Sequence, residues 1–125
     1  MDKTLLQQFE AVAIPPADFG HMDHLKVAFV MLEQYEFLDS CNRYAKTIKA
    51  MAESVGALKK FNTTITFAFM SIIAERKLGF AGSFEEFLNA YPELLDKNLL
   101  SNLYSQERLH SDQARQNFLL PDKAA

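Results

Sequence analysis

The spacing of the apolar residues constrains the fold of this chain most strongly, because it repeats with the period of an α-helix along most of the sequence. No window alternates apolar and polar residues over the length of a β-strand, and the 125 residues include only 4 Gly and 4 Pro. Helical periodicity in consecutive segments indicates an all-α protein. The sequence therefore predicts a single compact helical bundle of five to seven helices.

Turn residues divide one domain, predicted over residues 1–125, into three parts. Residues 1–17 contain an N-terminal helix and a turn at Pro15-Pro16, since proline cannot continue a helix. Residues 18–79 contain the three core helices, and residues 80–125 contain short C-terminal helices.

Capping residues and stops give the expected bounds of each helix. The predicted helices cover 4–13, 21–35, 37–55, 58 or 62 to 77, a short segment from Ser83 to Pro92, 94–104 and 106–118. Gly56 and Gly79 follow two of them as C-terminal stops. Ser83 and Glu86 form the pattern of a capping box, in which each side chain bonds to the backbone of the other residue.

Charge and cysteine content exclude several classes of partner. The formal net charge is −3, and no segment concentrates enough Lys and Arg to attract a phosphate backbone or an anionic lipid. Cys41 is the only cysteine, so no internal disulfide and no cysteine-rich zinc site is expected. The apolar run over 65–74 is about half as long as a bilayer requires, and the N-terminus lacks a signal-peptide pattern. We therefore expect a cytoplasmic protein without nucleic-acid or membrane partners.

The strongest chemical signal is the spacing of His21 and His24 in the second predicted helix. On a helical wheel His21 lies near the middle of the apolar face, and His24 lies one turn further along its edge. Two imidazoles at this spacing can chelate one divalent transition metal, but a stable site needs a third ligand. Asp23 is a candidate residue of the same pocket, although it lies nearer the polar side of the helix. Other donors occur elsewhere in the sequence, at Glu75, Glu85, Glu86 and His110.

A structural role for the two histidines is the alternative interpretation. In that case His21 packs or caps at the start of the helix, and His24 is half exposed. A buried imidazole needs hydrogen-bond partners in either case, so the sequence alone leaves both interpretations open.

Three segments resemble motifs of a widespread family of small bacterial proteins of uncharacterised function. The family shows F-x-H-x-D-H-L, K-Y-H-E-T-I-T and Y-S-x-x-x-L-x-S-x-x-A-R, followed by P-D. The corresponding segments here cover 19–28, 60–66 and 104–115, followed by Pro121-Asp122. The order and spacing of the motifs match over most of the chain, although the middle motif is degenerate.

The resemblance implies how the two histidines would be completed. In the family a His-Glu pair at the start of the fourth helix would join them in a metal site of three histidines and one carboxylate. These two positions are Asn62 and Thr63 in this chain, and neither is a good ligand for a transition metal. The resemblance thus implies either a lost metal site or a pocket with a different ligand.

Further candidate pocket residues are the amide and hydroxyls near the fourth helix and one arginine. Thr63 and Thr66 are predicted to line a small polar pocket beside the histidines, unless their hydroxyls bond to carbonyl groups one turn earlier. Asn62 is alternatively the N-cap of the helix. Arg115 can bind an anionic ligand or pair with a nearby carboxylate such as Asp112.

Two hypotheses about function follow, and neither decides whether the protein is an enzyme. In the first, a histidine-based pocket between helices two and four holds a metal or a small polar ligand. In the second, the chain is a non-enzymatic helical scaffold or a homo-oligomeric interaction protein without a metal site. The 11 Phe and 5 Met motivate the second hypothesis, with exposed apolar surface expected at Phe80, Phe84 and Phe87.

Overall fold

The computed structural model describes residues 2–123, with side chains from residue 5 onward. Seven α-helices span Asp2–Glu10 (α1), His21–Gln34 (α2), Phe37–Ser54 (α3), Thr63–Lys77 (α4), Phe84–Ala90 (α5), Gln106–Leu109 (α6) and Asp112–Gln116 (α7). Four 3-10 turns lie at Pro16–Asp18, Leu58–Lys60, Pro92–Leu95 and Leu99–Asn102. Since no β-strand occurs between residues 2 and 123, the predicted all-α bundle is confirmed. None of these helices is long and apolar enough to cross a bilayer.

Capping signals in the sequence place the long helices accurately. Helices α2 and α3 begin at the predicted residues and end one residue earlier than predicted. Helix α4 begins directly after Asn62, whose side-chain oxygen accepts a hydrogen bond from the N–H of Ile65 at 2.9 Å. The capping box of α5 is present, with the Ser83 hydroxyl and the Glu86 carboxylate each accepting a backbone N–H of the other residue. Such contacts satisfy N–H groups that no carbonyl of the helix can reach.

The C-terminal third departs from the prediction in two places. The helix predicted over 94–104 is wrong, since this segment contains two 3-10 turns, and the Asp96 carboxylate accepts the N–H of Asn98 between them. The helix predicted over 106–118 is split into α6 and α7, because the Ser111 hydroxyl accepts the N–H of Ala114 at 3.1 Å and starts a new helix. Short polar side chains that bond to nearby backbone groups compete with helix continuation.

Helix α4 is central because it packs between two apolar clusters. The main core joins residues of α1 to α5, and Met70 and Ile73 are the α4 residues buried in it. The buried residues of the second cluster are Ala68, Leu100, Tyr104 and Leu109. The sequence of α4 is apolar nearly all round, as expected for a helix that other elements cover on most sides.

Helix α2 is also buried around most of its circumference. Its buried residues are Leu25, Val27, Ala28, Phe29, Val30 and Met31. The helical wheel places Val30 on the polar side, and this prediction is wrong because α1, α3 and α4 all pack against α2. Three neighbouring helices cover more than one face.

The aromatic residues near α5 belong mainly to the core. Phe87 is 1% exposed, and Phe80 and Phe84 are half-buried against the main core. The ring centroids of Phe80 and Phe87 lie 5.2 Å apart, a separation typical of packed aromatic pairs. The exposure predicted for Phe87 is therefore wrong, and this apolar surface no longer favours an interaction protein.

Helix α1 ends at Glu10, three residues before the predicted end, in a turn that suits glycine. The N–H of Val12 donates to the carbonyl of Phe9, and the N–H of Ala13 donates to that of Gln8, both at 2.9 Å. This pair of bonds is a Schellman motif. It places Val12 in the left-handed region at a φ of 55°, where a β-branched residue is strained.

We expect Val12→Gly to stabilise the protein by about 0.5–1 kcal/mol. Glycine removes a strain of about 1–2 kcal/mol from the left-handed backbone of the folded state, and the greater conformational entropy of glycine in the unfolded chain offsets part of this gain. Urea unfolding followed by circular dichroism measures the change. Val55→Gly is the matched control, since Val55 is exposed at the end of α3 with a φ of −114°. A Val12→Gly variant no more stable than the wild type would contradict the strain.

Candidate functional site

The first turn of α2 positions both histidines. Gly20 precedes the helix, and its N–H donates to the Asp23 carboxylate at 2.9 Å. A carboxylate at a helix N-terminus satisfies a free N–H group and interacts favourably with the helix dipole. His21 and His24 follow on consecutive turns. The Asp23 carboxylate caps the first turn of the helix and does not line a cavity with the histidines.

The imidazole of His24 lies among three aromatic rings. Its centroid is 4.5 Å from that of Phe19, 6.2 Å from that of Tyr44 and 6.5 Å from that of Phe69. Its Nδ1 atom lies 2.7 Å from the Tyr44 hydroxyl oxygen. The ring is therefore held in a mainly apolar environment by one short hydrogen bond.

This environment keeps His24 uncharged. Burial disfavours the imidazolium form and lowers the pKa of His24 to about 4, with a smaller contribution from His21 and an opposite one from Asp23. Burial also raises the pKa of the Tyr44 phenol above its ordinary value. A neutral imidazole and a protonated phenol consequently share this hydrogen bond at pH 7.

Tyr44 determines which nitrogen of His24 carries the proton. Its side chain is buried, and within residues 2–123 its hydroxyl bonds to His24 alone. A buried O–H without an acceptor is costly, so the hydroxyl donates to Nδ1. We therefore assign the proton of His24 to Nε2, which makes Nε2 a hydrogen-bond donor.

The Nε2 atom of His24 is not fully enclosed by protein. Every fully enclosed side-chain nitrogen or oxygen in the described part of the chain has a hydrogen-bond partner. Nε2 of His24 has no partner among these residues, so it is not fully enclosed. The His24 side chain lines two cavities.

His21 is held by a backbone carbonyl. Its Nε2 lies 2.8 Å from the carbonyl oxygen of Leu94, in the 3-10 turn that follows α5. A carbonyl only accepts hydrogen bonds, so Nε2 of His21 carries a proton and donates it. Because Nε2 is occupied in this way, His21 has only Nδ1 available for a ligand.

The two histidines line one cavity of about 230 Å³, which we call the histidine cavity. It lies where α2, α3 and α4 meet the segment between the last two 3-10 turns. Its lining residues are His21, His24, Tyr44, Ile48, Ile65, Thr66, Phe69, Lys97, Leu99 and Leu100. A second, mainly apolar cavity of about 240 Å³, the adjacent cavity, shares His24 and Ile48 as its wall.

Two imidazoles are the most that the structure brings together as metal ligands. No group of three or more His, Cys, Asp or Glu side chains in the described chain is placed to hold a metal ion. Glu86 caps α5, Glu75 is exposed and paired with Arg76, and His110 is exposed beside Gln106. The third ligand that a stable metal site needs is therefore missing among these residues.

Asn62 and Thr66 have mainly structural contacts. The Asn62 amide caps α4 and also donates from Nδ2 to the carbonyl of Leu109 at 2.7 Å. The Thr66 hydroxyl donates to the carbonyl of Asn62 at 2.8 Å, one turn earlier. Thr66 also lines the histidine cavity, whereas Asn62 does not.

Thr63 and Arg115 lie outside the histidine cavity. Both border a different surface pocket, together with Lys49 and Phe61. Arg115 pairs with the carboxylate of Asp112 within α7, in agreement with the alternative that assigned it a structural role. Thr66 is thus the one predicted pocket residue beyond the two histidines that lines their cavity.

The residues of the third sequence motif stabilise the C-terminal segment. Ser105 and Ser111 cap α6 and α7, and the Tyr104 hydroxyl donates to the carbonyl of Leu119 at 2.7 Å. The Asp122 carboxylate accepts the N–H and the hydroxyl of Ser105, and these bonds lower its pKa. Caps and tethers are therefore sufficient to explain this spacing of residues.

Three residues border the cavity although no functional role is predicted for them from the sequence: Tyr44, Phe69 and Lys97. Tyr44 lies in an apolar helical stripe, so its spacing resembles that of a core residue. Phe69 is one of two aromatic residues in α4, and Lys97 lies in the segment wrongly predicted as a helix. Helical periodicity contains no signal that separates a core position from a cavity wall.

Comparison with protein-family models, curated proteins and solved structures found no match to this chain. The resemblance to the bacterial family therefore stays a prediction.

We expect Asn62→Ala to destabilise the protein by about 2–3 kcal/mol, since it removes a helix cap and leaves a buried carbonyl without its donor. Asn62→Ser keeps an oxygen that can cap α4 and should lose less. Ser83→Ala, which removes an exposed cap, is the control and should cost about 1 kcal/mol. Chemical denaturation compares the variants, and equal losses for Asn62→Ala and Ser83→Ala would contradict the double role of Asn62.

The stability of the protein should fall between about pH 6.5 and pH 4 because of His24. The pKa of His24 is about 4 in the folded protein against 6.5 for the ordinary side chain. In this interval the unfolded chain binds a proton that the native protein does not bind, so acidification favours unfolding. The contribution is on the order of 3 kcal/mol, fully present above pH 6.5 and lost below pH 4.

Urea unfolding of the wild type and of His24→Gln at pH 7.5, 6 and 5 measures this contribution. Glutamine keeps an acceptor for Tyr44 and does not titrate. The free energy of unfolding of the wild type should fall more steeply with decreasing pH than that of the variant. Parallel curves would show that His24 titrates normally in the folded protein.

Proposed function

We propose that the protein binds a small, largely apolar organic molecule in the histidine cavity, with His24 as the polar anchor. The ligand carries a hydrogen-bond acceptor, such as a carbonyl or carboxylate oxygen, that receives the proton on Nε2 of His24. The cavity volume of about 230 Å³ is below the range of roughly 300–1,000 Å³ typical of drug-sized ligands. We therefore expect a ligand of about ten non-hydrogen atoms.

One observation carries this proposal: the Nε2 atom of His24 has no partner among the described residues although the rest of the ring is packed. Because Nε2 is not fully enclosed by protein, an acceptor atom of a ligand can reach it in place of water. The opposite nitrogen is bound to Tyr44, which fixes the direction of the donor. A rigid donor in an apolar cavity is the usual arrangement for orienting a small ligand.

The available donor atoms favour an organic ligand over a metal ion. The Nε2–H group of His21 donates to the carbonyl of Leu94. The proton of His24 is on Nε2, because its Nδ1 accepts a hydrogen bond from the Tyr44 hydroxyl. A metal would need the tautomer of His24 reversed and the Tyr44 hydroxyl left without its acceptor. If the resemblance to the bacterial family reflects common descent, the replacement of its His and Glu by Asn62 and Thr63 accompanies a change from metal to organic ligand.

Acetophenone and ethylbenzene test the proposal on the wild-type protein, since they have similar size and only acetophenone has a hydrogen-bond acceptor. We expect acetophenone to bind about three- to tenfold more tightly, the difference that one hydrogen bond provides. Methyl resonances of Ile48 and Ile65 report binding in NMR titrations, and Ile65 locates it in the histidine cavity, because Ile48 also lines the adjacent cavity.

His24→Gln and His110→Gln are matched variants for the same titration. His110 is exposed and lies outside the cavity. His24→Gln should weaken acetophenone binding and leave ethylbenzene binding nearly unchanged, while His110→Gln should affect neither. The proposal is overturned if millimolar acetophenone leaves the Ile48 and Ile65 resonances of the wild type unchanged.

A further inference from the structure

The histidine cavity has a positive charge at its wall and no negative one. Lys97 lines the cavity from the loop between the last two 3-10 turns, and its side chain is exposed. None of the residues that line the cavity is Asp or Glu. The neighbouring carboxylate, Asp96, accepts the backbone N–H of Asn98 at 2.8 Å. Among the side chains described, those of residues 5–123, the Lys97 ammonium forms no ion pair of 4.0 Å or less with an acidic group.

We infer that the ligand of the histidine cavity is a monocarboxylate with a compact apolar body. The inference rests on the proposed function and specifies the chemistry of the polar group. One carboxylate oxygen accepts the proton on Nε2 of His24, and the carboxylate charge pairs with the Lys97 ammonium. The apolar body packs against Ile65, Phe69 and Leu100.

The carboxylate pairs at once with two donors of the cavity wall that have no partner among the described residues, Nε2 of His24 and the Lys97 ammonium. Charge-assisted hydrogen bonds are about twice as strong as neutral ones. A carboxylate therefore forms a stronger hydrogen bond with the fixed Nε2–H donor than a ketone does. A neutral imidazole donates to the carboxylate without itself adding charge to the cavity. The apolar lining disfavours a second charge on the ligand, because a buried charge without a partner is expensive.

The same lining discriminates against amines and amino acids. An ammonium group on the ligand finds no carboxylate partner in the cavity wall and is repelled by Lys97. An amino acid carries such an ammonium group beside its carboxylate. The free energy of hydration that this group loses on binding would exceed the interaction energy that it gains in the cavity. The structure thus favours an acid with one negative charge and no positive one.

Three probes of similar size test this inference on the full chain: phenylacetate, acetophenone and 2-phenylethylamine. We expect phenylacetate to bind most tightly and 2-phenylethylamine most weakly in NMR titrations of the Ile48 and Ile65 methyl groups. Raising the salt concentration to 0.5 M should weaken phenylacetate binding and leave acetophenone binding unchanged, since salt screens the exposed ammonium.

Lys97→Met and Lys60→Met are matched variants that each remove one charge. Lys60 borders the adjacent cavity, whereas Lys97 borders the histidine cavity. We expect Lys97→Met to weaken phenylacetate binding about three- to fivefold, the range of an exposed ion pair, without affecting acetophenone. Lys60→Met should leave both affinities unchanged.

The outcomes separate this inference from the proposed function. If acetophenone binds and phenylacetate binds no better, the cavity holds a ligand but the carboxylate assignment is wrong. If Lys60→Met weakens phenylacetate binding as much as Lys97→Met, the ligand does not lie where we place it. If no probe perturbs the two isoleucines, both the proposed function and this inference fail.

Discussion

The structure depends on satisfying the buried polar groups at the start of α4. Asn62, Thr64 and Thr66 are all buried there, in a helix that packs between two apolar clusters. Water cannot reach these groups, so they need protein partners. The C-terminal segment supplies most of them. The carbonyl of Leu109 accepts from the Asn62 amide, and the Thr64 hydroxyl bonds to the backbone of both Asn117 and Leu119. These bonds hold the C-terminal segment against α4.

The same requirement produces the candidate site. His24 and Tyr44 are a polar pair inside an aromatic environment, and each satisfies one atom of the other. The pairing leaves a single donor, Nε2 of His24, without a partner among the described residues. Every fully enclosed polar side-chain atom in the described part of the chain is paired, so this donor is one that a molecule outside the packed core can reach. The second cluster supplies one wall of that cavity through Leu100.

Local signals were sufficient for the long helices and their caps. Asn62, Ser83 and the stops near Gly56 act within a few residues of the chain, so the sequence contains all the information that they need. The C-terminal third was less predictable because local caps such as Ser111 interrupt its helical spacing and because distant tethers also hold its conformation. The bond between Asp122 and Ser105 joins residues 17 positions apart, and no helical period reveals such a contact.

By itself, the sequence determined the all-α class, the bounds of α2 and α3 and the placing of His21 and His24 on neighbouring turns. These features follow from periodicity and capping, which are local properties of the chain. Only the tertiary structure decided that Tyr44 orients the His24 ring and that the carbonyl of Leu94 accepts a hydrogen bond from His21. It also decided that Lys97 and Thr66 line the same cavity. These residues belong to different elements, and their contacts arise when apolar surfaces pack together. The chemistry of the site is therefore a property of the packed bundle rather than of any one helix.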